Sequence, residues 1–222
     1  MILATVLEDT VNFFLRGGPF MVLLVLLSIV SLTVILLRGR ALRERTVIPE
    51  GIAAAVEKLQ PGDDLDNLQK AMADNPSPLA QILGTLINHL NWPKAENLEA
   101  IQTRARNEVS RLERGLVILE ISTGVAPLLG LLGTLSGLVG IFAALGGSGD
   151  PVVVARGISE ALNTTIVGLA VAAPSLIAHN YFQRKIEVMA VEMESLAADL
   201  LAKCYPHGEL PQVEKHVFGE AK

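Results

Sequence analysis

The chain has 222 residues, of which 50% are hydrophobic, 18% are charged and 4% are aromatic. This composition is too apolar for an ordinary soluble domain of that length, and lipid is the simplest place to bury the excess. The net charge of −5, without a cluster of basic and aromatic residues, argues against a nucleic-acid-binding protein. The single cysteine, Cys204, cannot form an intrachain disulfide and matches no metal-ligand spacing.

The first element is an uncharged stretch from Pro19 to Leu37 that is dominated by Leu, Val and Ile. As a helix it covers roughly 28 Å, which just spans a hydrocarbon core. Acidic residues precede it and a run of arginines follows it, which is unlike a cleaved signal peptide. We therefore expect a periplasmic N-terminal segment over residues 1–18 and an uncleaved transmembrane helix over residues 19–38.

Residues 39–115 are typical of a cytoplasmic helical domain. From Pro93 onward no Pro or Gly occurs until Gly115. Within this stretch, apolar residues recur at helical spacing at Ile101, Ala105, Val109 and Leu112. This pattern predicts one long helix that leaves the cytoplasm and continues into the second span.

Residues 116–145 form a second apolar stretch whose only charged residue is Glu120. Residues 152–179 form a third, with its charged residues near the start. The Gly- and Pro-rich residues 146–151 indicate a tight turn between them, so the two stretches are predicted to form a transmembrane hairpin. Because the apolar periodicity continues beyond the third span, residues 180–222 are predicted to form a cytoplasmic C-terminal helix and tail.

Basic residues near the membrane ends determine the expected orientation. They are concentrated after the first span, before the second and after the third, whereas the other side offers only Arg16 and Arg156. The N-terminus and the hairpin loop are therefore expected in the periplasm and the C-terminus in the cytoplasm. The predicted fold class is an all-α membrane protein with three transmembrane helices, of which the second and third extend into the cytoplasm as long helices.

Small and weakly polar residues follow one face of the second span, at Thr123, Pro127, Gly130, Thr134 and Gly137. A second small stripe lies further round the helix, at Gly133, Ser136 and Gly140. Two interpretations are open. The small residues allow close helix packing while Thr134 bonds to its own helix, or this face contributes to an ion path.

Polar and small residues also share a face of the third span, at Glu160, Asn163, Thr164 and Gly168, with Thr165 one step further round. Polar side chains and a carboxylate are costly against lipid, so this face is expected to contact protein or water. Glu160 has an alternative role, because it follows Arg156 by four residues and can form an interfacial ion pair.

The middle of each span contains no Asp or Glu. A proton relay needs a group that changes its protonation state, and threonine hydroxyls do not do so at accessible pH. A partner must therefore supply the titrating acid. Because the sequence offers no nucleophile–base pair, metal cluster or phosphate-binding loop, we expect no enzyme activity, no cofactor and no metal.

Two segments resemble the signature helices of the ExbB/TolQ subunits in the MotA/TolQ/ExbB family. They are RLERGLVILEISTGVAPLLGLLGTLSGLVGIF at 111–142 and GISEALNTTIVGLAVAAPSLIAHNYF at 157–182. A flagellar MotA-like protein would have four spans, whereas this chain supplies three. The resemblance implies a bacterial inner-membrane pentamer around two single-span ExbD/TolR-like subunits that bring a transmembrane Asp. Ion flow would then drive rotation and pass energy to a TonB- or TolA-like protein.

The resemblance also implies pore roles for Thr134, Thr165 and Glu160. The family's Trp after the G-T-V element is absent, since Leu135 and Ser136 follow Thr134 here. Service to TonB or to the Tol-Pal system therefore stays open, as does the choice between H⁺ and Na⁺. The predicted pore lining comprises Thr134, Glu160, Asn163, Thr164 and Thr165. The predicted helix-packing residues are Pro127, Gly130, Gly133, Gly137, Gly168 and Pro174.

A helical scaffold or sensor without ion flow is the alternative function. In either case we expect a homo-oligomer, because the small and polar faces of the hairpin are predicted to exceed what one chain covers.

Overall fold

The computed structural model describes residues 18–73, 75–145 and 151–205. Within the helices, the side chains of Ala144, Leu145, Pro151, Val153, Arg156 and Glu160 also lie outside the described part. The helices are α1 Gly18–Ala41, α2 Glu44–Val47, α3 Glu50–Lys58, α4 Asp66–Ala73, α5 Pro78–Asn88, α6 Lys94–Glu113, α7 Leu116–Leu145 and α8 Pro151–Cys204. No strand occurs among the described residues. The predicted all-α fold class is confirmed.

The chain divides into two compact units. The membrane unit comprises the residues up to Arg40 together with Gly115–Gln183, and the polar unit comprises Ala41–Arg114 together with the residues from Arg184 onward. Three helices, α1, α7 and α8, are long and apolar enough to cross a membrane. The chain is therefore a membrane protein.

The last helix is the longest, and it extends the third span as predicted. Helix α8 continues from Pro151 to Cys204, well beyond His179, where the third span was predicted to end. Pro174 lies inside it without ending it, as Pro127 does inside α7. Beyond the apolar part, Ile186, Met189 and Met193 are buried at helical spacing, which accounts for the amphipathic pattern of the sequence.

The prediction of one uninterrupted helix into the second span is wrong at a single point. Helix α6 ends at Glu113 and α7 begins at Leu116. Between them Gly115 has φ +115°, a conformation that side-chain-bearing residues rarely adopt. A Cβ at this position would also lie 2.7 Å from a guanidinium nitrogen of Arg38. Glycine therefore permits a break that apolar periodicity alone did not reveal.

Within the membrane unit, α1 packs on the hairpin through an apolar cluster and one buried polar contact. Leu24 of α1 lies in a cluster with Ala126 of α7 and Val171 of α8. The Ser31 hydroxyl donates to Ser122 Oγ at 2.8 Å, and the Ser122 hydroxyl in turn donates to its own helix. Each hydroxyl is thereby satisfied away from water, as a buried polar group requires.

In the polar unit, the end of α8 is attached to the turn between α5 and α6. Tyr205 Oη lies 3.1 Å from the carbonyl oxygen of Leu90 and 3.0 Å from that of Trp92. The fully buried Asn97 donates from Nδ2 to Tyr205 Oη at 3.1 Å and to the Leu86 carbonyl at 3.0 Å. The Tyr205 contacts reach carbonyls of the turn between α5 and α6, whereas the Leu86 carbonyl also accepts the backbone N–H of His89.

Candidate functional site: hydroxyl groups at the hairpin contact

Helices α7 and α8 approach each other most closely where glycines line both. A Cβ on Gly168 of α8 would lie 2.6 Å from the Ala126 carbonyl oxygen and 3.2 Å from Gly130 Cα. On α7, a Cβ on Gly130 would lie 2.9 Å from the Thr164 carbonyl oxygen, and one on Gly137 would lie 2.8 Å from Ala161 Cβ. The two backbones are therefore nearly in contact, which only small residues allow.

Gly133 has a related role toward a side chain. A Cβ at Gly133 would lie 2.6 Å from Thr164 Oγ1 and 2.8 Å from Thr164 Cβ. Thr164 therefore fills the space that Gly133 leaves, and it is only 1% exposed. One chain covers this part of the small-residue face by itself, so this part gives no reason for a second copy, and the expected homo-oligomer stays a prediction.

Three threonine hydroxyls converge on one backbone carbonyl at this contact. Gly130 O lies 3.1 Å from Thr134 Oγ1, 3.2 Å from Thr164 Oγ1 and 3.1 Å from Thr165 Oγ1, and its two lone pairs cannot accept from all three hydroxyl groups at once. Thr134 and Thr165 are also hydrogen-bonded to each other across the hairpin. We call Thr134, Thr164 and Thr165 the hydroxyl cluster.

A second carbonyl, on α8, completes the arrangement. Ala161 O accepts from Thr164 Oγ1 at 2.7 Å and lies 3.2 Å from Thr134 Oγ1. Thr134 is 9% exposed, whereas Thr165 is partly exposed and so is the member that another molecule can most readily reach. Thr165 lies midway in sequence between Pro151 and His179, the ends of the apolar part of α8.

The remaining predicted residues are not drawn into this cluster. The side chain of Asn163 is partly exposed and has no hydrogen-bond partner in the part of the chain that the structure describes. Pro127 is partly buried and Pro174 is exposed. The side chains of Glu160 and its candidate partner Arg156 lie outside the described part, so their predicted roles stay predictions.

Sequence reasoning missed several participants because they carry no chemical signal of their own. Ala161 matters through its backbone oxygen, which any residue would supply. Gly157 was unremarked, yet a Cβ there would lie 2.6 Å from Ile141 Cγ1. Ser31 and Ser122 are isolated hydroxyl residues in apolar helices, and nothing in the sequence indicates that they are hydrogen-bonded to each other. Only the recurrence of small residues along both helices could have indicated this close approach.

The cluster can orient a proton carrier, but it cannot act as one. Hydroxyl groups donate and accept hydrogen bonds without changing charge at ordinary pH. Among the described residues, no group of His, Cys, Asp and Glu side chains is arranged to hold a metal ion. Each hydroxyl group already has an acceptor within the hairpin, so a water molecule or an acid brought from elsewhere would bind mainly by donating to the partly exposed Thr165 oxygen.

Comparison with known proteins identifies relatives over most of the chain. Residues 74–195 match the sequence model of the MotA/TolQ/ExbB proton channel family. The chain is 34% identical over 196 residues to the ExbB-like 1 biopolymer transport protein of Synechocystis sp., covering 83% of this chain and 74% of that protein. It is 32% identical over 190 residues to the ExbB homologue of Methanothermobacter thermautotrophicus, covering 82% and 68% respectively. Biopolymer transport protein ExbB of Neisseria meningitidis is 27% identical over 207 residues, covering 84% and 93%.

Proposed function

Because the chain belongs to the MotA/TolQ/ExbB proton channel family, we propose that it is an ExbB/TolQ-like subunit of a proton-driven motor in the bacterial inner membrane. It couples the proton motive force to TonB- or Tol-Pal-dependent work at the outer membrane. The observation that carries this proposal is the hydroxyl cluster, in which Thr134 and Thr165 meet near the middle of the apolar helices.

The chemistry of the cluster supports a partner that supplies the titrating group. The apolar parts of α1, α7 and α8 contain no Asp or Glu near their middle. Proton transfer at this depth therefore needs an acid from another chain, such as a transmembrane Asp on a single-span ExbD/TolR-like subunit. Thr165, which is partly exposed, is the group that hydrogen-bonds to that acid or to its water, through an oxygen lone pair that its bonds across the hairpin leave free.

The proposal includes self-association into a pentamer. The reason for it is the exposure of Asn163 and not the small-residue face. That face is largely covered by α8 of the same chain. Asn163, by contrast, is partly exposed without a hydrogen-bond partner among the described residues, and an amide facing lipid is costly. A ring of subunits around a water-containing path gives Asn163 polar surroundings. The proposed orientation, with the N-terminus in the periplasm, follows from the basic residues.

A scaffold or sensor without ion flow is the competing function. It is favoured by the fact that the hydroxyl groups of the cluster find their acceptors within the same chain. Thr134 bonds to the carbonyl four residues before it, which is the bond a threonine makes in a helix without any function. The two functions differ in what happens when the hydroxyl groups are removed while the shape is kept.

The test uses Thr134→Val and Thr165→Val. The chain is co-expressed with the single-span, Asp-bearing membrane protein encoded beside it, and proton flux is measured in inverted membrane vesicles with a pH-sensitive dye. Removing either hydroxyl takes away a hydrogen-bond partner of the acid or of its water, or the group that positions that partner, at a cost of about 1–3 kcal/mol, so flux should fall while assembly survives. Thr33→Val is the matched control, because Thr33 donates to its own helix, at Ile29 O, 2.8 Å away on α1.

Assembly is checked by native mass spectrometry in detergent. If both variants assemble and conduct protons as well as Thr33→Val does, the pore assignment is wrong and the scaffold function stands. A monomer as the only stable species would count against the pentamer.

A further inference from the structure

Two adjacent threonines of α8 use their hydroxyl groups in different ways. A threonine in a helix ordinarily donates to the carbonyl three or four residues before it. Thr164 follows this rule, because its shortest contact is to Ala161 O at 2.7 Å, whereas Gly130 O across the hairpin lies 3.2 Å away. Thr165 does not, although Ala161 is four residues before Thr165 and three before Thr164. Its bonds among the described residues go across the hairpin, to Gly130 O and Thr134.

The limited capacity of one carbonyl oxygen explains the difference. A carbonyl oxygen has two lone pairs, and in a continuous helix Ala161 O already accepts the backbone N–H of Thr165. Thr164 takes the remaining position with the shortest contact that the cluster makes to either carbonyl, 2.7 Å, whereas Thr134 Oγ1 lies 3.2 Å from Ala161 O and has Gly130 O and Thr165 as other partners. The Thr165 hydroxyl group therefore has no free acceptor on its own helix at Ala161.

Packing holds Thr164 in this arrangement. Its side chain is 1% exposed and lies in the space that Gly133 leaves open. Because protein interiors are closely packed, a rotation of the buried Thr164 side chain would collide with α7. Thr165 is less confined, since it is partly exposed. The buried threonine thus constrains the accessible one.

We propose that Thr164 is a positioning residue: by occupying Ala161 O, it keeps the Thr165 hydroxyl group directed across the hairpin toward Thr134 and Gly130. The orientation of the Thr165 side chain is set by residues of this chain, so it can be tested without a partner and without proton flow. Its consequence for proton flow rests on the proposed function. Thr164 is then not itself a pore-lining group, because it acts through its neighbour.

The first test measures the Thr165 rotamer directly. The full chain is labelled with ¹³C at threonine methyl groups, and methyl spectra in detergent micelles report χ1 through the Cγ2 chemical shift and three-bond couplings. Thr164→Val removes the hydroxyl at nearly unchanged volume and should shift the Thr165 signal as that side chain turns to Ala161 O. Thr164→Ser retains the hydroxyl and should restore the wild-type signal, and Thr33→Val should leave it unchanged.

A wild-type Thr165 rotamer in Thr164→Val would overturn the proposal. If Thr164→Val does not assemble, Thr164→Ala removes the same hydroxyl without adding bulk, and the same criterion applies to it. A Thr165 rotamer that changes equally in Thr164→Ser would also overturn the proposal, because packing alone would then explain the effect.

The second test separates this proposal from the proposed function. In the vesicle assay, Thr164→Val should lower proton flux about fivefold, the equivalent of one ordinary hydrogen bond of about 1 kcal/mol. In a Thr165→Val background the same change should have no further effect, since a residue that acts through another has nothing left to position. Independent, multiplying losses would refute positioning. A changed Thr165 rotamer with unchanged flux would leave the positioning role intact and refute the proton-conducting function.

Discussion

The contact between α7 and α8 predicts that Gly168→Ala destabilises the chain, although alanine is the better helix former. The added Cβ would lie 2.6 Å from the carbonyl oxygen of Ala126, whereas ordinary contacts begin at 3.4 Å. The helices would therefore have to separate by about 0.8 Å, because the obstacle is backbone and cannot rotate away. This separation would act directly on the hydroxyl cluster.

The magnitude follows from three terms. Overpacking of this kind costs about 1–3 kcal/mol. Moving Thr165 Oγ1 away from Gly130 O, now 3.1 Å away, would lengthen that bond beyond useful range and lose about 1 kcal/mol. The helix propensity of alanine offsets about 1 kcal/mol of this total. We expect a net loss of about 1–3 kcal/mol in the free energy of unfolding.

Gly140→Ala is the matched control, because a Cβ at Gly140 of α7 would meet nothing within 4 Å. It should leave stability unchanged or raise it by up to about 1 kcal/mol. Unfolding is followed by far-UV circular dichroism as the SDS fraction in mixed micelles increases. If Gly168→Ala and Gly140→Ala unfold at the same SDS fraction, the close approach of α7 and α8 is wrong, and with it the geometry of the hydroxyl cluster.

Three further predictions concern the polar unit and the topology. Tyr205→Phe removes a hydroxyl group that contacts two turn carbonyls, so it should lower the free energy of unfolding of the polar unit by about 1–2 kcal/mol. Tyr181 is exposed, so Tyr181→Phe should leave that free energy unchanged. Equal melting temperatures for the two variants would contradict the contacts of Tyr205. Burial raises the pKa of the Cys204 thiol from 9.0 to about 11. The buried thiol should therefore contribute fully to the free energy of unfolding below pH 9, and this contribution should be lost as the pH rises toward 11. A difference in unfolding free energy from Cys204→Ala that does not change with pH would refute this. The topology is tested in a Cys204→Ala background with an impermeant maleimide added to intact cells. The reagent should label Ser148→Cys, which lies outside the described residues, but not Lys70→Cys, which is exposed in the polar unit. Labelling of position 70 and not of position 148 would show that the predicted orientation is reversed.

Cys204 also illustrates why the topology test needs engineered cysteines. A thiol whose pKa is raised by burial carries little thiolate at neutral pH, and thiolate is the reactive form. Failure to label the native Cys204 would therefore say little about the side of the membrane on which it lies. Position 70 is exposed in the polar unit and avoids this ambiguity.

Much of the fold could be predicted because the relevant physics acts locally along the chain. Uninterrupted apolar stretches of the right length predict spans wherever lipid replaces water, and the three candidate membrane-crossing helices agree with this. Helical periodicity beyond His179 likewise predicted the extension of α8. The paired motifs of α7 and α8 identified the family, which the comparison with known proteins confirms. The predicted pore residues, in contrast, stay predictions until ion flow is measured.

Tertiary structure decided the features that depend on where two helices touch. The sequence shows small residues at Gly130, Gly133 and Gly168, but whether they face another part of the same chain, a second copy or lipid is a long-range question. The fold answers it for these three, which pack in the hairpin. In the same way, Thr164 and Thr165 are neighbours with the same side chain. The shortest bond of Thr164 goes to its own helix, and only the approach of α7 gives Thr165 a carbonyl across the hairpin. A hydrogen bond depends on the position of its acceptor. Because every residue carries a backbone carbonyl, the sequence does not show which carbonyl of a neighbouring helix will be the acceptor.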